Sequence, residues 1–505
     1  MFRKPIFITF ILLASAALVA FVPPLVTLLA LLGVLALVFL ARNLEFGLII
    51  LVFFFPYLGL VIDFGAFRAF REVYYLRNIN APFIDLYGLL LLGAWGVNVV
   101  ARHFMCRQSG GQAPALRLTL KGLHFKSYFL FWLSGLASLL TVSSRFFGSS
   151  VKYFFRPFSF FYPVFFAVPV SIMARAHNPS QPPLTLRGGE IGLLHRVLMV
   201  FYATGLLSAF NGLLGLLFSA YSEFPRATPF GFFGVNPLGP NHNLLAETLI
   251  ATAPAGLVLM QNEKLKIKND QSGKRNFTFY ILHVTFFMWA IALLTFARTA
   301  WIAIGLQAII YFWCTYRGRV AATFRSPLWR FKNRRYIVPI LLLASCFLLL
   351  LIGTTLTETV RGSTLSRLDQ SRIAVFYFLR SPALGQGIGT FIPTLWETRA
   401  FLLEYGDPLE AHGIALKLAF EQGLAGLIAF GIFVGSIFVS LIKAYRKTAR
   451  VEIIAALMIA AGSVAYQLFN TTYYSSKLWV PLAIAVAIGQ LSKLSKSGEL
   501  SKASV

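Results

Sequence analysis

Four short stretches put arginine, histidine and carboxylate side chains at the ends of apolar segments, where a plain turn would need none of them. "EFPRATPFGFFGVNPLGPNHNLLAE" holds Arg226, Asn241, His242, Asn243 and Glu247. "TFARTAWIAI" sets Arg298 in a very short corner between two apolar runs. "SRLDQSRIAVFYFLRSPALGQGIGTF" carries Arg367, Asp369 and Arg372 ahead of Gly385, Gly387 and Gly389. "EAHGIALKLAFEQGLAGLIAFG" opens with Glu410 and His412 where polar sequence turns apolar. Arginine presents a permanently charged, planar fork that grips phosphate oxygens two at a time. A histidine near neutrality is a natural base for an attacking hydroxyl. Together they fit group transfer from a lipid-linked diphosphate, with the arginines stabilising the charge that develops on the leaving group.

Each residue alone has a plainer reading. An arginine at a membrane boundary snorkels to the headgroups. "GQGIGTF" lacks the preceding buried strand and following lysine of a phosphate loop, so it is a weak nucleotide motif and reads better as a flexible re-entrant turn. "NPLGPN" is turn chemistry before a helix capped by Asn241 or Asn243. Glu247 then falls about one turn inside the membrane, either as a site residue or as the partner of an outer arginine. Lys417 and Glu421 stand four apart on one helix and can pair with each other. His412 alone is as readily an interfacial histidine as a catalyst. It is convergence on one membrane face that favours chemistry.

That convergence depends on topology. The chain has 505 residues, 57% hydrophobic, 15% aromatic and only 12% charged, with a mean hydropathy of +0.72. A soluble domain cannot bury so much apolar surface, which leaves a polytopic membrane protein. Cys106, Cys314 and Cys346 are too far apart for a disulfide framework or a zinc site. No cluster has metal-ligand spacing, and no cofactor is expected. The formal charge of +27 is read first as basic cytoplasmic loops facing anionic lipid, which makes nucleic acid an improbable partner.

Apolar windows recur at 6–22, 24–41, 45–62, 83–100, 127–142, 157–174, 192–218, 242–260, 277–296, 300–316, 337–356, 413–442, 452–471 and 476–491. That predicts about fourteen transmembrane helices, the first a retained helix and not a cleaved leader. Counted from a cytoplasmic Met1, this alternation puts every strongly basic segment inside: Arg102 to Lys126, "NEKLKIKNDQSGKRN", "YRGRVAATFRSPLWRFKNRRY", "KAYRKTAR" and the tail. Residues 219–241, the Arg298 corner and the charge-balanced loop 357–412 then face outward. The expected division is N-terminal transmembrane helices over 1–218, a core with the outer loops over 219–442, C-terminal helices over 443–491, and a disordered cytoplasmic tail over 492–505. No internal repeat is visible.

The same four stretches resemble the O-antigen ligase and polysaccharide polymerase superfamily, membrane glycosyltransferases acting on undecaprenyl-diphosphate-linked glycans. The likeness lies in Arg226 followed by "FGVNPLGPNHNLLAE", in "ARTAW", in Arg372 with "SPALGQGIGTF", and in "HGIALKLAFEQGLAG". It covers roughly residues 220–430. Three details depart from the pattern: the Asn-Pro-Asn element is stretched to "NPLGPN", Gly413 stands where Asn or Ser is usual, and "ARTAW" lacks a serine. The resemblance implies an all-α fold whose large outer, periplasmic loop caps a lipid-open cavity, and metal-independent, inverting catalysis in the inner membrane. His412 would activate the acceptor hydroxyl, Arg226 and Arg298 would grip the diphosphate, and Arg372 would support it or the loop. Arg367, Asn241, Asn243, Glu247 and Glu410 complete the candidate site. The acceptor is expected to be lipid A–core, as in a ligase. A second lipid-linked glycan (polymerase) or a protein hydroxyl (protein O-glycosyltransferase) stays open. A transporter or flippase is the other class, but it calls for polar residues at the bilayer midplane and related halves. Here they crowd one rim.

Overall fold

The computed structural model describes residues 24–63, 80–108, 124–175, 192–218, 225–239, 241–266, 271–323, 358–406, 413–472 and 474–502. The windows 6–22 and 337–356 therefore lie outside the described residues. The described chain is mostly helical. It starts with α1 (Pro24–Arg42) and α2 (Leu44–Phe54), then β1 (Val61–Asp63), β2 (Asn80–Pro82) and α3 (Phe83–Gln108). Next come α4 (Phe125–Ser138), α5 (Phe147–Tyr153), α6 (Ser159–Tyr162), α7 (Val168–Arg175) and α8 (Leu193–Phe218). The core follows as α9 (His242–Thr252), α10 (Ala255–Lys266), α11 (Gln271–Leu294) and α12 (Arg298–Thr323). Last are α13 (Glu358–Arg380), α14 (Phe391–Glu397), α15 (Arg399–Tyr405), α16 (Ile414–Thr448), α17 (Val451–Gln467) and α18 (Ser476–Lys502). The one sheet among the described residues is the antiparallel pair β1–β2, with Val61 opposite Pro82 and Asp63 opposite Asn80.

Among the described residues, four segments are long and apolar enough to cross a bilayer: Phe83–Ala101, Leu193–Phe218, His242–Met260 and Ile414–Thr448. A fifth candidate is the pair Leu31–Arg42 and Leu44–Phe54, bent by 110° at Asn43. Shorter apolar helices cover Ser159–Ala174, Phe279–Leu294, Val451–Gln467 and Ser476–Gln490. This is a membrane protein. The window expected over 45–62 stops early: α2 ends at Phe54, just ahead of Pro56, and the chain turns into β1. Proline cannot donate the next helical hydrogen bond and its ring crowds the preceding turn. From Phe147 to Arg175 helical turns run on, but two five-residue π segments, Phe154–Phe158 and Pro163–Ala167, interrupt the α-helix. Widened turns of this kind absorb a missing proline donor, here that of Pro163.

α17 is the central helix. Almost all of its side chains are buried, and many are small: Ala455, Ala456, Ala460, Ala461, Gly462 and Ala465. Small residues let helices approach closely where no hydrophobic gradient drives them together. α9, α10, α12, α16 and α18 all pack on it. Gln307 of α12 ties the layer, its Nε2 donating to the carbonyls of Ile250 (2.9 Å) and Met458 (3.0 Å). Outside this core, Leu424, Ile428, Ile432 and Val439 of α16 stay exposed at near-helical spacing, the face such a helix offers to lipid.

Candidate active site

The corner between α11 and α12 is built to hold an arginine. Thr295 Oγ1 donates to Ala292 O (2.6 Å) and accepts from Ala297 N (3.2 Å), closing the turn in place of glycine or asparagine. Phe296 takes a left-handed conformation, φ 55°, which costs a bulky residue roughly 1–2 kcal/mol. Trp301 Nε1 reaches back to Leu293 O at 3.1 Å. Arg298, half-buried, leaves this corner as the first residue of α12. The extended chain 225–230 lies alongside, with Ala227 N donating to Leu294 O at 2.8 Å. Asn211 of α8 clamps that strip from the other side through both backbone groups of Phe230, at 2.9 and 3.0 Å. Arg226, also half-buried, is thus fixed one residue from the Arg298 corner.

Two more nitrogen-bearing side chains face this pair. Arg367 on α13 is half-buried, and its Nε has no hydrogen-bond partner among the described residues. Burial, and then the positive charge of Arg298, push its guanidinium below the ordinary arginine range. His242 lies within electrostatic reach of both Arg226 and Arg367. The side chain that precedes it, Asn241, is the N-cap: Asn241 Oδ1 accepts from Asn243 N at 2.9 Å. Asn243 is half-buried, and its carbonyl accepts from Tyr466 OH at 2.6 Å. The NPLGPN segment is a turn, with Gly239 N donating to Asn236 O at 2.9 Å and Gly239 at φ 87°. Beside it opens an apolar groove of about 720 Å3 lined by Phe54, Leu60, Ile62, Phe83 and Val235.

Arg372 does not join the cluster. It is exposed and pairs with Asp369 at 2.9 Å; five residues on a helix turn it well away from Arg367. Asp369 Oδ2 also accepts from Tyr405 OH at 2.7 Å, pinning α15 to α13. That hydrogen bond, above all, raises the Tyr405 phenol over its usual range.

Glu247 is fully buried, and among the described residues its carboxylate bonds Gln467 and Thr472, not an arginine. Its Oε1 accepts from Gln467 Nε2 (2.7 Å) and Thr472 Oγ1 (2.5 Å). The opposite charge within its reach is Lys477, at the start of α18. Lys417 and Glu421 stay together, 3.9 Å apart and buried, as their spacing predicts. Lys417 Nζ bonds Tyr153 OH at 3.2 Å and lies over the Tyr153 and Tyr474 rings.

The glycine-rich run is not a flexible loop. It docks into a break in α16, where Gly423 leaves helical geometry at φ 62°, ψ −156°. Gln386 N and Gly387 N donate to Phe420 O and Glu421 O (2.8 and 2.9 Å), while Leu424 N and Ala425 N donate to Pro382 O and Ala383 O (2.8 and 3.1 Å). Those four bonds occupy backbone groups that an interrupted helix would leave orphaned. Gly385, Gly387 and Gly389 all have positive φ, and a Cβ at Gly385 would sit 2.5 Å from the Glu421 carbonyl carbon. The glycines serve backbone-to-backbone packing, which periodicity alone does not reveal.

His412 and Glu410 lie outside the described residues. Gly413 is described and explains one departure from the family pattern. Its φ is 135°, its N donates to Thr471 Oγ1 at 3.2 Å, and a Cβ there would meet Leu468 O at 2.6 Å. An asparagine or serine does not fit that place. Arg226, Arg298, Arg367 and His242 are therefore brought together; Asn241 caps, Glu247 is buried beneath, and Arg372 points elsewhere. His242 stands in the first of the four stretches without a role assigned to it, and Tyr466 is not singled out at all, since nothing local marks which polar residue near a helix end turns toward distant arginines. Among the described residues, no three His, Cys, Asp or Glu side chains converge in the way a metal site needs.

A grouping of three guanidiniums beside an imidazole is a site for a multiply charged anion. No curated protein matches the chain. Residues 283–431 match the family model described as O-antigen ligase. That stretch contains the Arg298 corner, α13, the glycine run and the break in α16, and it stops short of Arg226 and His242. That match supports the resemblance of this part of the chain to the O-antigen ligase and polysaccharide polymerase superfamily.

Proposed function

We propose that the protein transfers a glycan from undecaprenyl diphosphate to an acceptor hydroxyl, with lipid A–core as acceptor, on the periplasmic face of the bacterial inner membrane. The observation that carries this reading is the gathering of Arg226 and Arg367 within electrostatic reach of His242, and of Arg298 within reach of Arg367, three fixed cations suited to one polyanion. Arg226 and Arg298 grip the diphosphate, with Arg367 above them on the outer loop. His412 takes the proton from the acceptor hydroxyl as its oxygen bonds the anomeric carbon. The bond from that carbon to the diphosphate oxygen breaks, and its electron pair leaves on the diphosphate, whose growing charge the arginines offset. One in-line displacement inverts the anomeric centre, and the charge neutralisation it needs comes from guanidinium groups without a metal. Fourteen spans counted from a cytoplasmic N-terminus, as the lysine and arginine bias suggests, would put this rim outside. The apolar groove beside the NPLGPN turn suits the hydrocarbon part of a lipid-borne substrate.

The test is a deletion strain examined for surface glycan. Long glycan chains made but left unattached support a ligase. Single unpolymerised repeats assign the chain to the polymerases instead, and loss of glycan from a protein acceptor to the protein glycosyltransferases. Donor accumulating on the cytoplasmic side would make it a flippase and end the enzyme reading.

A further inference from the structure

The strip that carries Arg226 runs on into a turn that the proposed transfer does not use. Phe232 and Val235 exchange both backbone hydrogen bonds at 2.9 Å, which closes a two-residue hairpin over Phe233 and Gly234. Both central residues are left-handed, with φ 51° and 79°, the geometry for which Asn-Gly is the favoured pair. Here the first position is phenylalanine, strained and fully exposed, and a Cβ added to Gly234 would meet nothing within 4 Å. The base of the turn is firmly held. Asn211 bonds both backbone groups of Phe230, Gly231 lies tight against the Asn236 side chain, and Pro237 O accepts from Gly59 N at 2.9 Å. A bulky ring is thrust outward from a rigid seat, and no contact among the described residues offsets its strain.

The tip continues a surface that faces lipid. α8 is long and apolar enough to cross a bilayer. Leu207, Phe210, Leu217 and Phe218 stay exposed along one side of it, at the spacing of a lipid-facing stripe. Phe218 ends that helix with its ring 6.2 Å from Phe230, and Phe230 stands edge-on to Phe232 at 5.0 Å. Phe232, Phe233 and Val235 are all exposed. One apolar band thus leads from a membrane-crossing helix to the tip, and the sequence from Ala227 to Asn241 holds no Asp, Glu, Lys or Arg to oppose burial in hydrocarbon. We propose that the Phe232–Val235 turn is a finger inserted into the lipid leaflet at the arginine-bearing rim, with Phe233 among the acyl chains. Hydrocarbon around the ring offsets the left-handed strain, which water does not. Gly234 and Val235 also line the apolar groove, so one wall of that groove lies at acyl-chain depth and its mouth faces the bilayer. Insertion of the finger is independent of the reaction proposed above, because its partner is the bilayer itself.

The experiment is spin-label accessibility on the full chain in nanodiscs of phosphatidylethanolamine and phosphatidylglycerol, in a background carrying Cys106→Ala, Cys314→Ala and Cys346→Ala. Nitroxides are placed at Phe233→Cys and, as references, at Ile428→Cys on the exposed face of α16 and Leu403→Cys on α15. Oxygen concentrates in hydrocarbon, and a nickel chelate stays in water. Oxygen should collide with the label at 233 several-fold more often than the chelate does, as at 428 and opposite to 403. An excess of chelate collisions at 233 would put the turn in water and overturn the proposal. A label immobilised and reached by neither reagent would mean a protein partner, a second copy of the chain included, and overturns it as well. Val235→Cys repeats the measurement on the other side of the tip should the label at 233 disturb folding. Adding Phe233→Asn to it suits the left-handed position, so the turn is kept while the ring is removed, and chelate access at 235 should then rise several-fold. Unchanged access at 235 in that variant would strip Phe233 of its part in the insertion and overturn its role as the anchor.

Discussion

Gly423 and Ala383 meet backbone to backbone. A Cβ placed on Gly423 would lie 2.6 Å from the carbonyl carbon and oxygen of Ala383, and two residues on, Ala425 N donates to that same carbonyl at 3.1 Å. The helix is broken there so that the glycine-rich loop after α13 can supply the hydrogen bonds the break removes. Glu421, two residues before the break, also accepts from Phe391 N at 3.4 Å, at the first residue of α14. The glycine-rich loop and the first turns of α16 are in effect one piece.

Replacing Gly423 with alanine therefore strains a left-handed residue and pushes the loop off its seat. The backbone term alone is roughly 1–3 kcal/mol, and the close approach adds to it. Thermal unfolding in detergent should show a clear drop in midpoint, with transfer activity falling further than stability does. An unchanged midpoint in G423A would mean the break tolerates a side chain.

The arginines should divide sharply by position. Arg298→Lys and Arg367→Lys keep the charge and lose the fork, at about 1.5–3 kcal/mol for a lost charge-assisted hydrogen bond, or roughly tenfold and more in kcat/KM. Arg372→Ala removes a pairing that is 71% exposed on the arginine side and should stay within about twofold, since exposed pairs contribute little. A severe R372A beside a mild R367K would reverse the assignment of α13's inner and outer faces.

His412→Ala should abolish glycan transfer while insertion into the membrane and binding of the lipid-linked donor persist. Co-purification of donor with the variant checks the second half. Residual turnover near the wild-type rate would remove the base.

Topology has its own assay. Leu403 on α15 is 87% exposed, so a single cysteine there, Leu403→Cys, should react with a membrane-impermeant maleimide added to intact spheroplasts. Labelling only after the inner membrane is opened would invert the orientation drawn from the lysine and arginine bias.

How far the sequence alone reaches differs between the fold and the site. Apolar windows anticipate helices because hydropathy is a local quantity, and every window within the described residues falls on helix. Their ends are less legible: 45–62 is cut at Phe54 by Pro56, and 157–174 is interrupted around Pro163. The arginines were legible as a group, because charge at the edge of an apolar run is conspicuous. Which of Arg367 and Arg372 faces inward was not, for it depends on the rotation of α13 against α16. Glu247's partner was equally hidden, because Lys477 lies on α18, 230 positions away. The glycine run looked like a loop until its partner, Gly423, was seen to complete it.

The seam at Gly423 also ties two distant stretches of the chain in evolutionary time. A bulkier residue at Gly385 closes the space that the broken helix needs, and a bulkier residue at Gly423 closes the space that the run needs. Neither site can drift unless the other yields, so among sister sequences the two glycines should be kept together or surrendered together, the lone survivor being the rarest kind.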